Sequence, residues 1–239
     1  MDTDQAENIR QNIELVLERI HNSAINSGRD SKDIALVAVT KQKPASVVKI
    51  LSDFGIKRIA ESYLKEALFK IELLREFQIE WHMIGTIQRG KEKEIAAKFA
   101  EVHSLESIET ASKLDKFAKL NNRCLPVYLE FNVSGEETKH GWNAWNDTKW
   151  SGLVPELREI FGLSNIEVKG LMTMAPFSNN PQNARPYFRR LRQLRDYLSR
   201  EFPRSNLQGL SMGMSGDFEV AIEEGATVLR IGSALVGPR

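Results

Sequence analysis

The spacing of hydrophobic residues predicts an amphipathic helix near the start of the chain, over residues 4–27. Its apolar side chains recur three or four positions apart, which places them on one helix face, and Gly28 is a suitable stop. The residues of this face are Ile9, Ile13, Val16, Leu17, Ile20 and Ala24. The next apolar run, residues 34–39, is hydrophobic at every position. Such runs are typical of parallel strands that helices cover on both sides.

After this first strand, helical and strand-like patterns alternate to the end of the chain. A helix is predicted from about Ala45 to Phe54, closed by Gly55, and apolar stripes predict helices around residues 64–74, 108–118 and 188–202. Further strands are predicted near residues 58–62, 80–85, 101–106, 125–133, 166–174, 208–214 and 227–232. This alternation predicts a parallel sheet, and eight units favour a closed barrel over an open sheet.

The expected fold is therefore α/β, a single (β/α)8 TIM-type barrel with an extra N-terminal helix, over residues 1–239 as one domain. A length of 239 residues suits one such barrel. No linker divides the chain, and the last residues follow directly on the eighth strand, so we expect no second domain. The polar, tryptophan-rich segment from His140 to Trp150 is expected to be a long loop after the fifth strand.

Composition narrows the classes of function. Apolar residues make up 41% and charged residues 27% of the chain, as in a globular protein with a full core. The net charge of +1 provides no field that favours nucleic acid or a membrane surface. Residues 1–28 lack the apolar core of a signal peptide, and the one cysteine, Cys124, cannot form an internal disulfide. We therefore expect a cytoplasmic protein, without nucleic-acid or membrane partners.

Lys41 is the first candidate for chemistry, because it comes directly after the first strand. The working groups of α/β barrels lie at the carboxyl ends of the strands. An amine at such a rim loses solvation, which lowers its pKa and exposes the neutral form that condenses with an aldehyde. Taken alone, a lysine at a strand end is more often a residue that points to water.

Two loops near the end of the chain have the composition of phosphate-binding turns. They follow the seventh and eighth strands, where α/β barrels often bind phosphate. Glycine lets the backbone approach closely, hydroxyls donate to oxygen, and a helix N-terminus adds positive potential. The candidate residues are Ser211, Ser215, Gly232 and Ser233. Ordinary turn chemistry is the alternative, and this spacing does not separate pyridoxal 5′-phosphate (PLP) from a sugar phosphate.

Arg230 interrupts the apolar eighth strand, two residues before the Gly232-Ser233 turn. A guanidinium there is costly unless a partner accepts its hydrogen bonds. One acceptor would be the pyridine nitrogen of PLP, which would then stay unprotonated and leave the ring a poor electron sink. The alternative is a salt bridge to a carboxylate such as Glu61 or Glu130.

The histidines and the remaining serines are weaker candidates. No metal-ligand spacing and no cysteine pair supports a metal site, so none is expected. His82 is interpreted as a packed strand residue, and neither Ser134 nor Ser215 lies in a nucleophile elbow. The histidines are His21, His82, His103 and His140.

Longer motifs are distributed over nearly the whole chain. The first are VAVTK at 37–41, WHMIG at 81–85, NVSGEETKHG at 132–141 and GLMTM at 170–174. They continue with LSMGMSGDFE at 210–219, AIEEGAT at 221–227 and RIGSALVGPR at 230–239, of which the last two are highly specific. Together these motifs resemble the YggS/PROSC family of PLP homeostasis proteins.

The resemblance implies a barrel like the N-terminal domain of alanine racemase, with PLP held as a Schiff base on Lys41. It also implies phosphate held by the loops after the seventh and eighth strands, Arg230 at the pyridine nitrogen, and a role in PLP supply without an established reaction. Apo PLP-dependent enzymes are the partners that the resemblance implies as receivers of the PLP. Ser62 and Thr86 stand where the family usually has Asn and His on the cofactor side. We therefore count Ser62 among the cofactor contacts and expect altered affinity or ring contacts.

Two other functions share parts of this site. An amino-acid racemase of the alanine racemase type needs a second acid/base group opposite Lys41, for which Tyr63, Tyr128 and His82 are the candidates nearby. A lysine-dependent aldolase for a phosphorylated substrate would use the same lysine and phosphate loops but no bound chromophore. We expect a non-catalytic PLP-binding protein, acting as a monomer.

Overall fold

Parallel strands alternate with helices through residues 3–238, which the computed structural model describes. Within that range, eight strands follow one another around a ring, and the pairing of β4 with β5 closes it. The barrel strands are β1 (Ala35–Val39), β2 (Arg58–Glu61), β3 (Glu80–Met83), β4 (Glu101–Leu105), β5 (Leu125–Asn132), β7 (Ile166–Met172), β8 (Gly209–Ser211) and β9 (Val228–Ile231). A ninth strand, β6 (Trp142–Asn143), pairs only with β5. The predicted TIM-type barrel is confirmed.

Helices cover the outside of this barrel. The helices are α1 (Thr3–Asn26), α2 (Ala45–Asp53), α3 (Leu64–Leu73), α4 (Glu92–Lys98), α5 (Ile108–Leu120), α6 (Val154–Phe161), α7 (Arg185–Glu201), α8 (Phe218–Glu223) and α9 (Ser233–Val236). The predicted extra N-terminal helix is α1, and it packs against α2, α8 and α9. Leu17, which the sequence pattern placed on its apolar face, is exposed, while Ile13, Val16 and Ile20 are buried. No helix within residues 3–238 is long and apolar enough to cross a membrane.

The segment from His140 to Trp150 is more structured than the long loop predicted for it. Trp142 and Asn143 extend the sheet beside β5, and a 3-10 helix runs over Asp147–Leu153. Trp142 and Trp150 are buried, and the indole nitrogen of Trp150 donates to the carbonyl of Ala144 at 3.0 Å. The loop prediction is wrong for these residues because burying two indole rings outweighs the polar composition around them.

Strand alternation decides which polar side chains enter the barrel. On β9, Leu229 and Ile231 belong to the main core that the helices cover, whereas Val228 belongs to a smaller cluster with Val37, Ala60, Tyr128 and Met172. Side chains two positions apart on a strand share a face. Arg230 therefore lies inside the barrel, two residues beyond Val228 toward the carboxyl end of the strand.

Candidate functional site

One cavity of about 550 Å³ opens where the barrel strands end. Residues that follow β1, β2, β8 and β9 line it, as the position of ligand sites in α/β barrels predicts. Six of the seven predicted cofactor contacts are among these residues: Lys41, Ser62, Ser215, Arg230, Gly232 and Ser233. A volume of this size is within the ordinary range for small-molecule pockets.

Ser211, the seventh predicted contact, is placed apart from the other six. It is fully buried at the end of β8, and it is not among the described residues that line the cavity. Its hydroxyl accepts a hydrogen bond from the Arg230 guanidinium at 2.5 Å and lies 2.8 Å from Nδ1 of His103. Ser211 therefore binds the guanidinium of Arg230 and does not itself line the cavity.

A buried ion-pair network fixes the turn that carries Lys41. The Lys70 ammonium lies 2.7 Å from the carboxylates of both Glu61 and Glu66, and it donates to the carbonyl of Thr40 at 2.8 Å. The Thr40 hydroxyl donates to Glu61 at 2.6 Å. These contacts hold the residue before Lys41 by both its backbone and its side chain.

The other side of the same turn is also held. Gln42 has a φ of 63°, a conformation that costs a non-glycine residue roughly 1–2 kcal/mol. Its N–H donates to the Glu66 carboxylate at 2.7 Å. The turn is thus a defined structure on both sides of Lys41, which a lysine that only ends a strand would not require.

The loops after β8 and β9 are tied to each other beside the cavity. The backbone N–H of Ala234 donates to the hydroxyl of Ser215 at 3.2 Å, and the N–H of Met214 donates to the Asp217 carboxylate at 2.6 Å. Gly213 has a φ of 96°, and a Cβ there would lie 2.7 Å from that of Ala221, so only glycine fits this turn. The helices that follow these loops are too short to add much positive potential at their N-termini, because α8 has 6 residues and α9 has 4.

Arg230 is held by neutral oxygen atoms. Its side chain is buried, with 4% of the residue exposed, and it donates to the Ser211 hydroxyl and to the carbonyl of Thr173 at 2.9 Å. Burial lowers the pKa of Arg230 to about 10, so the guanidinium stays protonated at neutral pH. Within residues 3–238, no carboxylate forms an ion pair with it.

The two carboxylates proposed from the sequence as partners of Arg230 have other surroundings. Glu61 forms an ion pair with Lys70 and accepts a hydrogen bond from Thr40. Burial raises the pKa of Glu130 to about 7, and Arg230 acts on that carboxyl only through its field, not through an ion pair. The salt-bridge alternative for Arg230 is therefore wrong.

Ser62 lies between the main cavity and a second one of about 390 Å³. The second cavity is also lined by Tyr63 and Thr86. A Cβ on Gly85 would lie 2.1 Å from the carbonyl oxygen of Ser62, so glycine allows the ends of β2 and β3 to approach closely. Ser62 and Thr86, which stand where the family usually has Asn and His, therefore both line the second cavity, beside the main one.

Comparison with known proteins identifies the family. The model of the family described as "Alanine racemase, N-terminal domain" matches residues 6–239. The chain belongs to this family. The "Pyridoxal phosphate homeostasis protein" of Aquifex aeolicus is 42% identical over 97% of this chain and 99% of that protein. The protein of the same name from Pseudomonas aeruginosa is 39% identical over 97% of this chain and 96% of its own length. The resemblance inferred from the motifs is confirmed.

Solved structures agree with this assignment. PipY of Synechococcus elongatus, in a structure with PLP bound, is 28% identical with a TM-score of 0.80, over 93% of this chain and 100% of that chain. Alanine racemase of Clostridium difficile matches with a TM-score of 0.72 at 17% identity, over 98% of this chain and 57% of that chain. The second likeness shows the shared barrel alone.

The candidates for a second acid/base group do not line the main cavity of this alanine racemase-type barrel. Tyr63 is exposed and lines only the second cavity. Tyr128 and His82 are buried among other side chains, and burial raises the pKa of Tyr128 above its usual range. Of the described cavity residues, the ionisable ones are Lys41, Lys43, Asp217 and Arg230.

Two polar clusters, neither of which lines the main cavity, were not predicted from the sequence. One is the network of Lys70 with Glu61 and Glu66. The other brings His82, Glu101 and His103 together, with one ligating atom from each inside a span of 4.8 Å. Alternation along β3 and β4 could have placed these residues inside the barrel, but the register that sets His82 opposite Glu101 is known only from the structure.

Proposed function

We propose that this chain binds PLP in the main cavity and takes part in PLP homeostasis, without catalysing a reaction of its own. The observation that carries the proposal is the convergence on one cavity of a lysine, two glycine- and serine-containing loops and a buried arginine, from the ends of β1, β8 and β9. Two relatives of nearly the same length are named for PLP homeostasis, and a structural neighbour holds PLP.

Lys41 is the proposed site of covalent attachment. Its amine would add to the aldehyde carbon of PLP, forming a C=N bond and releasing one water molecule. Support comes from its place at the cavity and from the network around Thr40 and Gln42, which holds both neighbours in the chain.

Ser215, Gly232 and Ser233 are proposed to hold the phosphate. They belong to the two loops that the contact between Ser215 and Ala234 joins, and hydroxyls and backbone N–H groups are suitable donors to phosphate oxygens. A Cβ on Gly232 would lie 3.3 Å from the carbonyl oxygen of Val39, so a larger residue would crowd the end of β1. Ser211 is proposed to act indirectly, through Arg230.

Arg230 is proposed to donate to the pyridine nitrogen. Because the guanidinium stays protonated, it cannot supply a proton to the ring, which then withdraws electrons poorly. No second acid/base candidate named from the sequence lines the cavity, which supports binding over racemisation. Apo PLP-dependent enzymes in the cytoplasm are the receivers we propose, with this chain acting as a monomer.

Titration with PLP, followed by visible absorbance, tests the binding site. We expect a new absorption band for the wild type and for Lys43→Ala, a matched control because Lys43 also lines the cavity and its ammonium donates to the carbonyl of Pro238. The band should be lost in Lys41→Ala. An equal band in Lys41→Ala would show that PLP binds at another group.

A further inference from the structure

His82, Glu101 and His103 meet inside the barrel, away from the cofactor cavity. His82 lies on β3, and Glu101 and His103 lie on β4, where Glu101 is the first residue of the strand. None of the three lines the main cavity. The hydroxyl of Ser211, which lies between His103 and Arg230, connects them to it.

The ligating atoms of the three residues form a small triangle. Nδ1 of His82 lies 3.0 Å from Nε2 of His103, and Oε1 of Glu101 lies 2.8 Å from that Nε2 and 3.3 Å from the Nδ1. With metal–ligand bonds of about 2.0–2.1 Å, neighbouring ligands of a tetrahedral zinc ion are about 3.3 Å apart. The triangle is therefore close to the size of one face of that tetrahedron.

Hydrogen bonds alone cannot make all three edges of this triangle attractive. Each ring nitrogen has one in-plane site, which carries either a hydrogen or a lone pair. If Nδ1 of His82 and Nε2 of His103 both carry a hydrogen, these two hydrogens repel each other. If only one of them carries a hydrogen, the lone pair of the other faces the Glu101 carboxylate, and that contact is repulsive. A cation at the centre would attract all three atoms.

Neighbouring side chains hold the His103 ring in place. Nδ1 of His103 is occupied by the Ser211 hydroxyl, as the second nitrogen of metal-binding histidines usually is by a hydrogen-bond partner. The ring of Tyr128 stacks on His103 with 4.8 Å between the ring centres. The Glu101 side chain is 18% exposed, which leaves an approach to the site.

We propose that His82, Glu101 and His103 bind one divalent transition-metal ion of the zinc type. Two imidazoles and one carboxylate suit zinc, whereas calcium and magnesium prefer sites made of oxygen ligands. The three residues leave one position of a tetrahedron for water. The ion links β3 to β4 and adds to the stability of the barrel.

Zinc and cobalt are the probes for this site. The untagged full chain, with any bound cofactor retained, is treated with a chelator, dialysed against Zn²⁺ and analysed for metal content. We expect one zinc per chain, and Co²⁺ should give the visible difference spectrum of a tetrahedral site. Less than about a tenth of an equivalent of zinc, or a cobalt spectrum equal to that of the hexahydrated ion, would overturn the proposal.

Variants separate this site from other histidines. Glu101→Gln and His82→Asn should each weaken zinc binding at least about tenfold. His140→Asn and Glu106→Gln are matched controls, because these residues form the other close His–Glu contact, 3.3 Å apart and near the surface, and they should bind zinc as the wild type does. Unchanged zinc affinity in Glu101→Gln would also overturn the proposal. Circular dichroism and PLP absorbance verify that each variant is folded and keeps its cofactor site.

Discussion

At the scale of single residues, Arg230 connects the main cavity to the barrel interior. A protonated guanidinium in a buried position requires acceptors, and here they are a hydroxyl and a carbonyl rather than a carboxylate. An arginine with no paired carboxylate keeps its net charge available to a ligand. This arrangement favours a ligand that presents an acceptor to the arginine.

Replacing Ser233 and replacing Ser211 should have different effects, the first on PLP affinity and the second on stability. Ser233→Ala should weaken PLP binding about ten- to a hundredfold, because one hydrogen bond to a charged group contributes about 1.5–3 kcal/mol. Its unfolding free energy should stay near that of the wild type, since Ser233 is exposed. A dissociation constant equal to wild type, measured by fluorescence titration, would show that the phosphate binds elsewhere.

Ser211→Ala should chiefly cost stability. The change removes a partner from both Arg230 and His103, which are buried, and an unsatisfied buried group costs about 1–3 kcal/mol. Urea unfolding should show that loss, with a weaker effect on PLP affinity that acts through Arg230. If Ser211→Ala lost affinity and kept its stability, Ser211 would be a direct phosphate contact.

Glu130 should make stability depend on pH. Its pKa is raised by burial from 4.5 to about 7, so the stabilisation by the protonated carboxyl is complete below pH 4.5 and is lost as the pH rises through 7. Glu130→Gln should therefore gain up to about 3 kcal/mol relative to the wild type between pH 4.5 and 8. Urea unfolding at the two pH values measures this gain. A difference between the two proteins that does not change with pH would contradict the assignment.

At this scale the sequence indicated those cavity residues whose type is unusual for their place. A lysine directly after an apolar strand, an arginine within one and glycines beside serines are such cases, and Lys41, Arg230, Gly232 and Ser233 all line the cavity. It could not separate Ser211 from Ser215, because the predicted strand, residues 208–214, includes the first and directly precedes the second. Only the strand end, at Ser211, decides which hydroxyl points inward.

At the scale of elements, the turn between β1 and α2 is set by α3. Lys70 of α3 is buried, and it reaches Thr40 of the turn and Glu61 at the end of β2. Burial raises the pKa of Glu61, and the contacts with Lys70 and Thr40 oppose that rise. The helix thus positions Lys41 without lining the main cavity.

Lys70→Met should destabilise the protein by about 3–5 kcal/mol, because it leaves the Glu61 carboxylate buried without its cation. PLP affinity should fall as well, since the turn of Lys41 loses a support. Lys49→Met is the control, because its pair with Asp53 is exposed and worth under about 1 kcal/mol. Adding Glu61→Gln to Lys70→Met should restore part of the stability. Equal urea midpoints for Lys70→Met and Lys49→Met would contradict this account.

The sequence predicted the positions of strands where a run of apolar residues marks them. Apolar runs located all eight barrel strands, although the predicted 208–214 became Gly209–Ser211 because Gly213 turns the chain out of the strand. The strand Trp142–Asn143 was missed because two residues carry no periodicity.

At the scale of the whole molecule, the barrel gathers distant segments at the carboxyl ends of its strands. The apolar runs and their alternation were enough to predict this architecture, because eight parallel units have few other arrangements. The interior was not predictable to the same degree. The convergence of His82, Glu101 and His103 depends on the pairing of His82 with Glu101 across β3 and β4, which no local pattern encodes.

The cavity as a whole should bind PLP without effective racemisation. It presents Lys41, but Tyr63, Tyr128 and His82 do not line it. Of the other ionisable residues there, Lys43 donates to the carbonyl of Pro238 and Asp217 accepts from the N–H of Met214. We expect the PLP-loaded protein, incubated with L-alanine in deuterated water, to exchange the Cα hydrogen no faster than free PLP does. Nuclear magnetic resonance and chiral chromatography measure exchange and inversion. Turnover well above free PLP, and abolished by Lys41→Ala, would make the chain a racemase.

Chemical trapping at Lys41 tests the central claim most directly. Borohydride reduces the C=N bond to a stable amine, so peptide mass mapping of the reduced, PLP-loaded protein reports which lysine carried the cofactor. The account predicts the pyridoxyl mass on Lys41. A label mainly on Lys43, whose ammonium donates to the carbonyl of Pro238, or on Lys139, whose ammonium donates to that of Met174, would contradict it.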